Sequence, residues 1–191
     1  MKKTLRQQAL AYRSQITAHE FALYSKQISQ LANTLLQSFG PCTVGLFYPI
    51  SGEPDLLSIV NRNDLEGFAW ALPVCCSDAT GKYLKFARYS SETQLKPGSY
   101  NIPVPSVQDW LVPQVVFMPC LGFDRSGARL GYGAGWYDQT MARLSRKPVM
   151  VGIAYAATEF AQSFAQPHDQ LMDWVLTEKE VIQITSRRIN Q

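Results

Sequence analysis

The residues best suited to chemistry lie in positions 119–144, where three glycines alternate immediately before a predicted helix. These are Gly131, Gly133 and Gly135. Glycine permits positive φ angles and a close approach of the backbone to a ligand. The N–H groups of such a turn, with the amino end of a helix behind them, form a cradle for an anion. A tight strand-to-helix turn without a ligand is the alternative, and the glycines alone do not decide between the two.

Charged residues around this turn favour a phosphorylated ligand. Arg125 and Arg129 lie just upstream, where they would add charge-assisted hydrogen bonds to phosphate oxygens. Asp138 falls near the start of the predicted helix, where a carboxylate also suits the helix dipole without any ligand. Beside a polyphosphate a bare carboxylate would be repelled, and a bound Mg²⁺ would remove that conflict by bridging the two. Asp138 is therefore a candidate metal ligand.

The turn matches neither of the two familiar phosphate-binding motifs. A dinucleotide-binding fingerprint would need a third glycine where Trp136 or Asp138 stands. A P-loop that reaches Gly127 continues with Ala128 and Arg129 in place of lysine and serine or threonine. Any phosphate site in this segment must therefore be of another kind.

The first helix is predicted over residues 3–14, where apolar side chains recur at helical spacing. Lys2, Arg6 and Arg13 fall on a neighbouring stripe, within roughly 40° of one another on a helical wheel. This basic stripe borders the docking face of the helix and does not point straight into water.

Three more helices follow from local signals. Thr17 and Glu20 form a capping box that starts the second helix, and Gly40 ends it. Pro54 suits the first turn of a helix over 55–63. A further helix is predicted over 136–145, directly after the glycine turn.

Short apolar runs bounded by turn residues predict the strands of a sheet. They cover 43–48, 68–73, 83–89, 114–118, 149–153, 174–176 and 181–184. The stretch 96–106 is rich in Pro, Gly and Ser and is predicted to be an ordered loop. Because strands alternate with helices in much of the chain, the pattern favours an α/β sheet covered on both faces, with antiparallel additions.

The composition favours one globular domain over residues 1–191, of which 46% are hydrophobic. A net charge of +3 without a basic block argues against nucleic acid as a partner. The sequence has no apolar run long enough to span a bilayer, and its four cysteines form no Cys-x-x-Cys pattern. We expect a cytoplasmic protein, a monomer or a weak dimer, that binds neither nucleic acid nor membrane.

The segment from Pro119 to Asp138 resembles the signature of the 5-formyltetrahydrofolate cyclo-ligase family, also called 5,10-methenyltetrahydrofolate synthetases. The matching pattern is Pro-x-Leu-Gly-Phe-Asp-x-x-Gly-x-Arg-Leu-Gly-x-Gly-x-Gly-x-Tyr-Asp. Four other places match in order, namely Lys2-x-x-Leu5-Arg6, Ile50 to Asp55, Tyr100 to Pro103, and His168-Asp169 through Asp173. The resemblance extends over nearly the whole chain, and the glycine signature is specific in combination.

The resemblance implies a three-layer α/β/α sandwich with a Rossmann-like, mixed central sheet. It implies catalytic roles for Arg129, Lys2 and Arg6. The ATP site that it implies has two parts, formed by Lys2, Lys3, Thr4, Leu5 and Arg6 and by Arg129, Leu130, Gly131, Tyr132, Gly133, Ala134, Gly135, Trp136 and Tyr137. Ala134 and Trp136 differ from the residues that are common in the family, but Ala134 leaves the backbone donors available.

The resemblance also implies a Mg²⁺ ion near Asp138 and Asp169. It places the folate, which is the second substrate, near Ile50, Glu53, Asp55 and Tyr100. In the implied reaction the formyl oxygen of 5-formyltetrahydrofolate attacks the γ-phosphate of ATP, and the neighbouring amine then closes the ring to 5,10-methenyltetrahydrofolate. Phosphoryl transfer of this kind depends on positioning and charge neutralisation and needs no protein nucleophile.

Simpler roles stay open for several of these residues. Lys2 and Arg6 would then lie on the solvated side of a helix, and Glu53 and Asp55 would stabilise the first turn of a helix. Asp169 would be an ordinary turn residue, and Tyr100 would pack within its loop. Three other functions stay open as well. The chain would then be a small-molecule kinase or similar nucleotide-dependent enzyme, a non-catalytic folate-binding protein or, on weaker grounds, a sugar-phosphate or CoA enzyme.

Overall fold

A computed structural model describes residues 1–167 and 169–184 of the chain. His168, part of one matching motif, and residues 185–191 lie outside the described part. Two helices come first, α1 over Lys2–Gln15 and α2 over Ala18–Phe39. The capping box is present, since the Glu20 amide donates to the Thr17 hydroxyl and the Glu20 carboxylate accepts from the Thr17 amide. Both helix predictions are confirmed.

Eight strands form the central sheet, namely Thr43–Gly45 (β1), Ala69–Asp78 (β2), Gly81–Tyr89 (β3), Trp110–Leu111 (β6), Val115–Pro119 (β7), Val149–Ile153 (β10), Trp174–Leu176 (β11) and Val181–Gln183 (β12). Their order across the sheet is β12-β11-β10-β7-β1-β2-β3-β6. The five strands from β11 to β2 are parallel, while β12, β3 and β6 are antiparallel additions at the edges. The predicted mixed sheet is confirmed.

Helices cover both faces of this sheet. Along β7, Val115 and Phe117 point to the face covered by α2, whereas Val116 and Met118 point to the other face. That second face is covered by α3, Trp136–Arg143, through Met141. Because the parallel strands of the central sheet are buried on both sides, they consist of nearly continuous apolar runs. The three-layer prediction is confirmed.

Residues 55–63 do not form the predicted α-helix. They contribute to two short 3-10 helices, Leu57–Asn61 and Asn63–Leu65. The Asp55 carboxylate accepts the Leu57 amide at 2.8 Å, which starts a tight turn. Residues 59–63 then include β-branched side chains and two asparagines, all weak helix formers. Asp55 thus has the helix-start role that the sequence left open.

Several strands differ from the prediction because pairing, not local pattern, sets their length. β1 ends at Gly45 and not at residue 48, while β2 and β3 extend into one long hairpin. The stretch predicted as a loop contains a small hairpin, formed by β4 (Leu95–Pro97) and β5 (Pro103–Pro105). A second small hairpin was not predicted and pairs β8 (Gly122–Phe123) with β9 (Arg129–Leu130).

The topology creates a crevice beside β1. From β1 the chain proceeds to β2 on one side and later returns to β7 on the other side. The loops that leave the carboxyl ends of β1 and β7 therefore diverge, and ligands of open α/β sheets bind at such a point. Within the described residues, no helix has both the length and the apolar character needed to cross a membrane.

Candidate active site

A cavity of about 770 Å³ lies at the carboxyl ends of β1 and β7. Both segments of the predicted ATP site contribute to its wall, as do the loop after β1 and the β4–β5 hairpin. The predicted residues that line it are Lys2, Arg6, Ile50, Glu53, Tyr100, Arg129, Gly131, Tyr132, Gly133, Ala134, Gly135, Trp136, Tyr137, Asp138 and Asp169. The fold thus brings together residues that are up to 167 positions apart, such as Lys2 and Asp169.

The glycine turn between β9 and α3 needs its glycines for two physical reasons. Gly133 and Gly135 have φ angles of +100° and +72°, which side chains rarely permit. Gly131 is needed for space, because a Cβ there would lie 2.7 Å from Nη1 of Arg129. The helix that follows has no side-chain cap. Its first N–H groups are thus available to an anion.

Arg129 lies behind this turn and is 8% exposed. Its Nη2 donates to Asp138 at 2.8 Å, and its guanidinium lies over the ring of Tyr137, 5.3 Å from the centroid. Within residues 1–167 and 169–184 its Nε has no hydrogen-bond partner. A buried donor without a partner is costly, so this guanidinium retains capacity for a negatively charged ligand.

Helix α1 supplies two more cations to the same end of the cavity. Nζ of Lys2 lies 2.6 Å from Asp169, and Nε of Arg6 donates to the Gly131 carbonyl at 2.8 Å. The helix is held there by a small apolar cluster in which Leu5 and Ala9 of α1 pack against Leu121, Ala128, Leu130 and Phe164. Three positive charges therefore converge on the glycine turn, as binding of a polyphosphate requires.

The two predicted metal ligands lie on the same wall. Asp138 accepts from Arg129 and, through its other oxygen, from the Gln170 amide at 3.2 Å. Asp169 accepts from Lys2 and from the Gln166 amide. In the described part of the chain, no three His, Cys, Asp or Glu side chains are grouped to hold a metal. Mg²⁺ usually takes one or two carboxylates and completes its shell with phosphate and water, so this pair suits Mg²⁺ that arrives with phosphates.

The cavity also has an apolar wall, beside which lies one buried carboxyl group. Glu53, 2% exposed, lies in the loop after β1, where its Oε2 accepts the Ile50 amide at 3.0 Å. Burial raises the pKa of Glu53 to about 7, against the lowering influence of the Ile50 amide and of the Arg13 guanidinium. The apolar wall comes from Phe47, Tyr48, Pro73, Leu84, Ile102 and Val104.

Tyr100 lies at the tip of the β4–β5 hairpin and lines the cavity next to its apolar wall. The residue is 67% exposed, and its backbone is left-handed with φ at +59°. The ring meets Trp136 edge to face, 6.5 Å between centroids. The hairpin tip and the amino end of α3 therefore form an aromatic border around the opening.

Five of the predicted site residues do not line the cavity. Lys3 and Thr4 are on the exposed side of α1, Leu5 and Leu130 belong to the apolar cluster under that helix, and Asp55 caps the 3-10 helix. Arg125, which the sequence suggested for phosphate binding, instead pairs with Glu159 and Glu180 at the surface.

The sequence did not single out Asp124, which organises the loop that carries Arg129. The carboxylate is 2% exposed and accepts from the amides of Ser126, Ala128 and Phe164. A sequence signal existed, since Asp-x-Ser-Gly is typical of a turn in which aspartate bonds its own backbone. This carboxylate joins the β8–β9 hairpin to the segment that leads to Asp169.

The sheet topology, the glycine turn and the converging cations are those of an α/β enzyme with a crevice suited to an anionic small molecule. A sequence model of the 5-formyltetrahydrofolate cyclo-ligase family matches residues 1–178. The chain therefore belongs to that family, and the resemblance seen in its sequence is confirmed.

Individual relatives agree with this assignment. The 5-formyltetrahydrofolate cyclo-ligase of Mycolicibacterium smegmatis is 31% identical over 148 residues, which cover 73% of this chain and 75% of that protein. The solved structure of 5,10-methenyltetrahydrofolate synthetase from Aquifex aeolicus superposes with a TM-score of 0.79 at 26% identity, covering 100% of this chain and 96% of that one. The synthetase from Mycoplasma pneumoniae gives a TM-score of 0.75 at 21% identity, over 93% and 99% of the two chains, and supports the fold.

Proposed function

We propose that the protein converts 5-formyltetrahydrofolate to 5,10-methenyltetrahydrofolate and consumes MgATP, releasing ADP and phosphate. One observation carries the proposal beyond family membership. A single cavity of about 770 Å³ is lined both by a glycine turn with three cations and by an apolar wall that contains a buried carboxyl group. A triphosphate suits the glycine turn and a reduced pterin suits the apolar wall, so one cavity would take both reactants.

At the glycine turn the chain's proposed task is to hold and neutralise charge. The turn Gly131–Gly135 offers backbone donors, while Lys2, Arg6 and Arg129 offset the charge of the β- and γ-phosphates. Asp138 and Asp169 would hold Mg²⁺, which supplies further charge neutralisation across the phosphate oxygens when it is bound. Because Arg129 is buried, its electrostatic effect on the transferred phosphoryl group is stronger than in water.

Along the apolar wall the chain would orient the pterin. When ionised, Glu53 accepts hydrogen bonds from the pterin's amino and ring N–H groups, and Tyr100 lies where it would cover the pterin face. In the proposed reaction the formyl oxygen attacks the γ-phosphorus and ADP leaves. The neighbouring amine nitrogen then attacks the imidate carbon, and phosphate departs as the new ring loses the amine proton.

Cysteine chemistry does not enter the proposal. Cys75 lines the cavity, but burial raises the pKa of its thiol, and burial raises that of Cys120 to about 12. Both are thiols at neutral pH and poor nucleophiles. All four cysteines are free, and we infer that the protein works in the reducing cytosol.

The test is to mix the protein with ATP, Mg²⁺ and 5-formyltetrahydrofolate and to follow the near-ultraviolet absorbance of the methenyl product. We expect product formation that requires all three components, with one ADP released per product. ADP release without the folate would favour a kinase, and folate binding without product would favour a non-catalytic binding protein. Arg129→Ala and Asp138→Ala should both lose turnover while remaining folded, and wild-type rates in either variant would remove that residue from the scheme.

A further inference from the structure

Arg13 is the third cation on the basic stripe of α1, but unlike Lys2 and Arg6 it does not line the cavity. Its side chain is only 2% exposed. One nitrogen donates to the Tyr132 hydroxyl at 3.0 Å, and another donates to the Cys120 carbonyl at the end of β7. The guanidinium also lies 5.9 Å from the ring centroid of Tyr155. A cation buried this completely needs a compensating charge nearby.

That charge is Glu53, whose Oε1 lies 4.0 Å from Nη1 of Arg13. The two groups are close enough for strong attraction but not for a direct hydrogen bond. Within the described residues, Oε1 of Glu53 accepts no hydrogen bond and Nε of Arg13 donates none. Glu53 therefore lines the cavity with a fixed cation behind it, and the Tyr132 hydroxyl, which accepts from Arg13, also lowers the pKa of this carboxyl group.

The other titratable groups that face Glu53 are neutral at physiological pH. They come from the glycine turn, α3, the end of β7 and the segment after β10, and are Tyr132, Tyr137, Cys120 and Tyr155. Burial raises the pKa of each of them above its ordinary value. Arg13 is thus the charged neighbour within the described part of the chain that favours an ionised Glu53.

We propose that Arg13 is a positioning residue that favours the charged form of Glu53 at the cavity wall, and that it thereby sets the affinity for a ligand rich in hydrogen-bond donors. The inference rests on the proposed function where it names that ligand as the pterin of 5-formyltetrahydrofolate. Without Arg13, Glu53 would keep its proton to a higher pH and would face the pterin's N–H donors with a donor of its own.

The experiment compares Arg13→Met, Arg13→Lys, Glu53→Gln and the double variant Arg13→Met/Glu53→Gln in the full chain. A matched control is Arg88→Met, which removes an exposed arginine that pairs with Asp109 at the surface. For each protein, kcat and the KM values for ATP and 5-formyltetrahydrofolate are measured from about pH 6 to about pH 9. In parallel, the carboxyl carbon of Glu53 is titrated by NMR in the absence of substrates.

For Arg13→Met we expect the KM for 5-formyltetrahydrofolate to rise about tenfold or more at neutral pH, with the KM for ATP changed less than about twofold. The KM for 5-formyltetrahydrofolate should decrease as pH rises. In Arg13→Met this decrease should occur at a higher pH than in the wild type, and the titration of the Glu53 carboxyl group should shift with it. Arg13→Lys should keep the wild-type titration, and it tests the charge if the methionine variant does not fold. When Glu53 is already replaced by glutamine, the further substitution Arg13→Met should change the KM for 5-formyltetrahydrofolate little.

Equal increases in both KM values, additive effects of the two substitutions, or an unmoved carboxyl titration would show that Arg13 is merely structural. If the wild-type protein forms no methenyl product, the proposed function fails. The NMR titration then still decides whether Arg13 controls the charge of Glu53, so the two failures remain distinct.

Discussion

Gly131→Ala is the most direct test of the turn that carries Arg129. The new Cβ would lie 2.7 Å from Nη1 of Arg129 and 3.5 Å from its Cζ, whereas ordinary contacts begin near 3.4 Å. Arg129 is 8% exposed and rests on Tyr137, so its guanidinium must leave this position by at least the 0.7 Å that separates 2.7 Å from 3.4 Å, a displacement on the order of 1 Å. The backbone can remain in place, because Gly131 does not have a positive φ.

A displacement of this size costs about 100-fold in turnover when it affects a group that stabilises the transition state. That corresponds to about 2.7 kcal/mol, within the range of one lost charge-assisted hydrogen bond. We therefore expect kcat/KM of Gly131→Ala to fall about 100-fold while Tm changes by less than about 2 °C. Methenyl absorbance gives the rate, and thermal unfolding followed by circular dichroism gives Tm.

The double variant Arg129→Ala/Gly131→Ala is the control. If the alanine acts by moving the guanidinium, the double variant should be no slower than Arg129→Ala alone. Wild-type kcat/KM in Gly131→Ala, or strictly additive losses in the double variant, would refute the reasoning.

Three further predictions concern single carboxylates and one lysine. The pKa of Glu53 is raised to about 7, so the folded state holds this proton more tightly than the unfolded chain does. The protonated carboxyl group therefore stabilises the fold fully below about pH 4.5, and this stabilisation is lost as pH rises through 7. In urea unfolding the wild-type protein should lose roughly 3 kcal/mol of stability over this pH range through Glu53, and Glu53→Gln should not show that loss; an unchanged pH dependence in the variant would contradict the prediction. Asp124→Ala leaves three amides without their acceptor and should lower the unfolding free energy by about 3 kcal/mol; a Tm equal to wild type would exclude this role. Lys2→Met should raise the KM for ATP about tenfold at low salt and leave that for the folate nearly unchanged, and an equal rise in both would show that Lys2 does not act on the phosphates.

Local sequence patterns predicted the elements that depend on near neighbours. The capping box at Thr17 and Glu20 and the glycine turn before α3 are determined by residues a few positions apart. The β8–β9 hairpin could not be predicted this way, because its two-residue strands carry no periodic pattern. Residues 55–63 were predicted wrongly because Pro54 suggested an α-helix, while the Asp55 carboxylate favours a tighter turn.

Within the cavity wall, sequence reasoning had selected the residues of the glycine turn and the cations of α1, since both lie in compact motifs. It placed Arg13 on the correct stripe but could not show that the side chain is buried against Glu53, because that contact joins α1 to the loop after β1. The apolar wall was also missed, since Phe47, Leu84 and Val104 come from three separate strands or loops and resemble ordinary core residues.

The placement of α1 has a consequence for how the two substrates influence each other. One helix carries Lys2 and Arg6, which line the cavity beside the glycine turn, and Arg13, which lies behind Glu53. In the proposed reaction ATP would contact the first two side chains and the pterin would contact the carboxyl group. We therefore expect that binding of either substrate holds the helix in place for the other, so that the two affinities are thermodynamically linked.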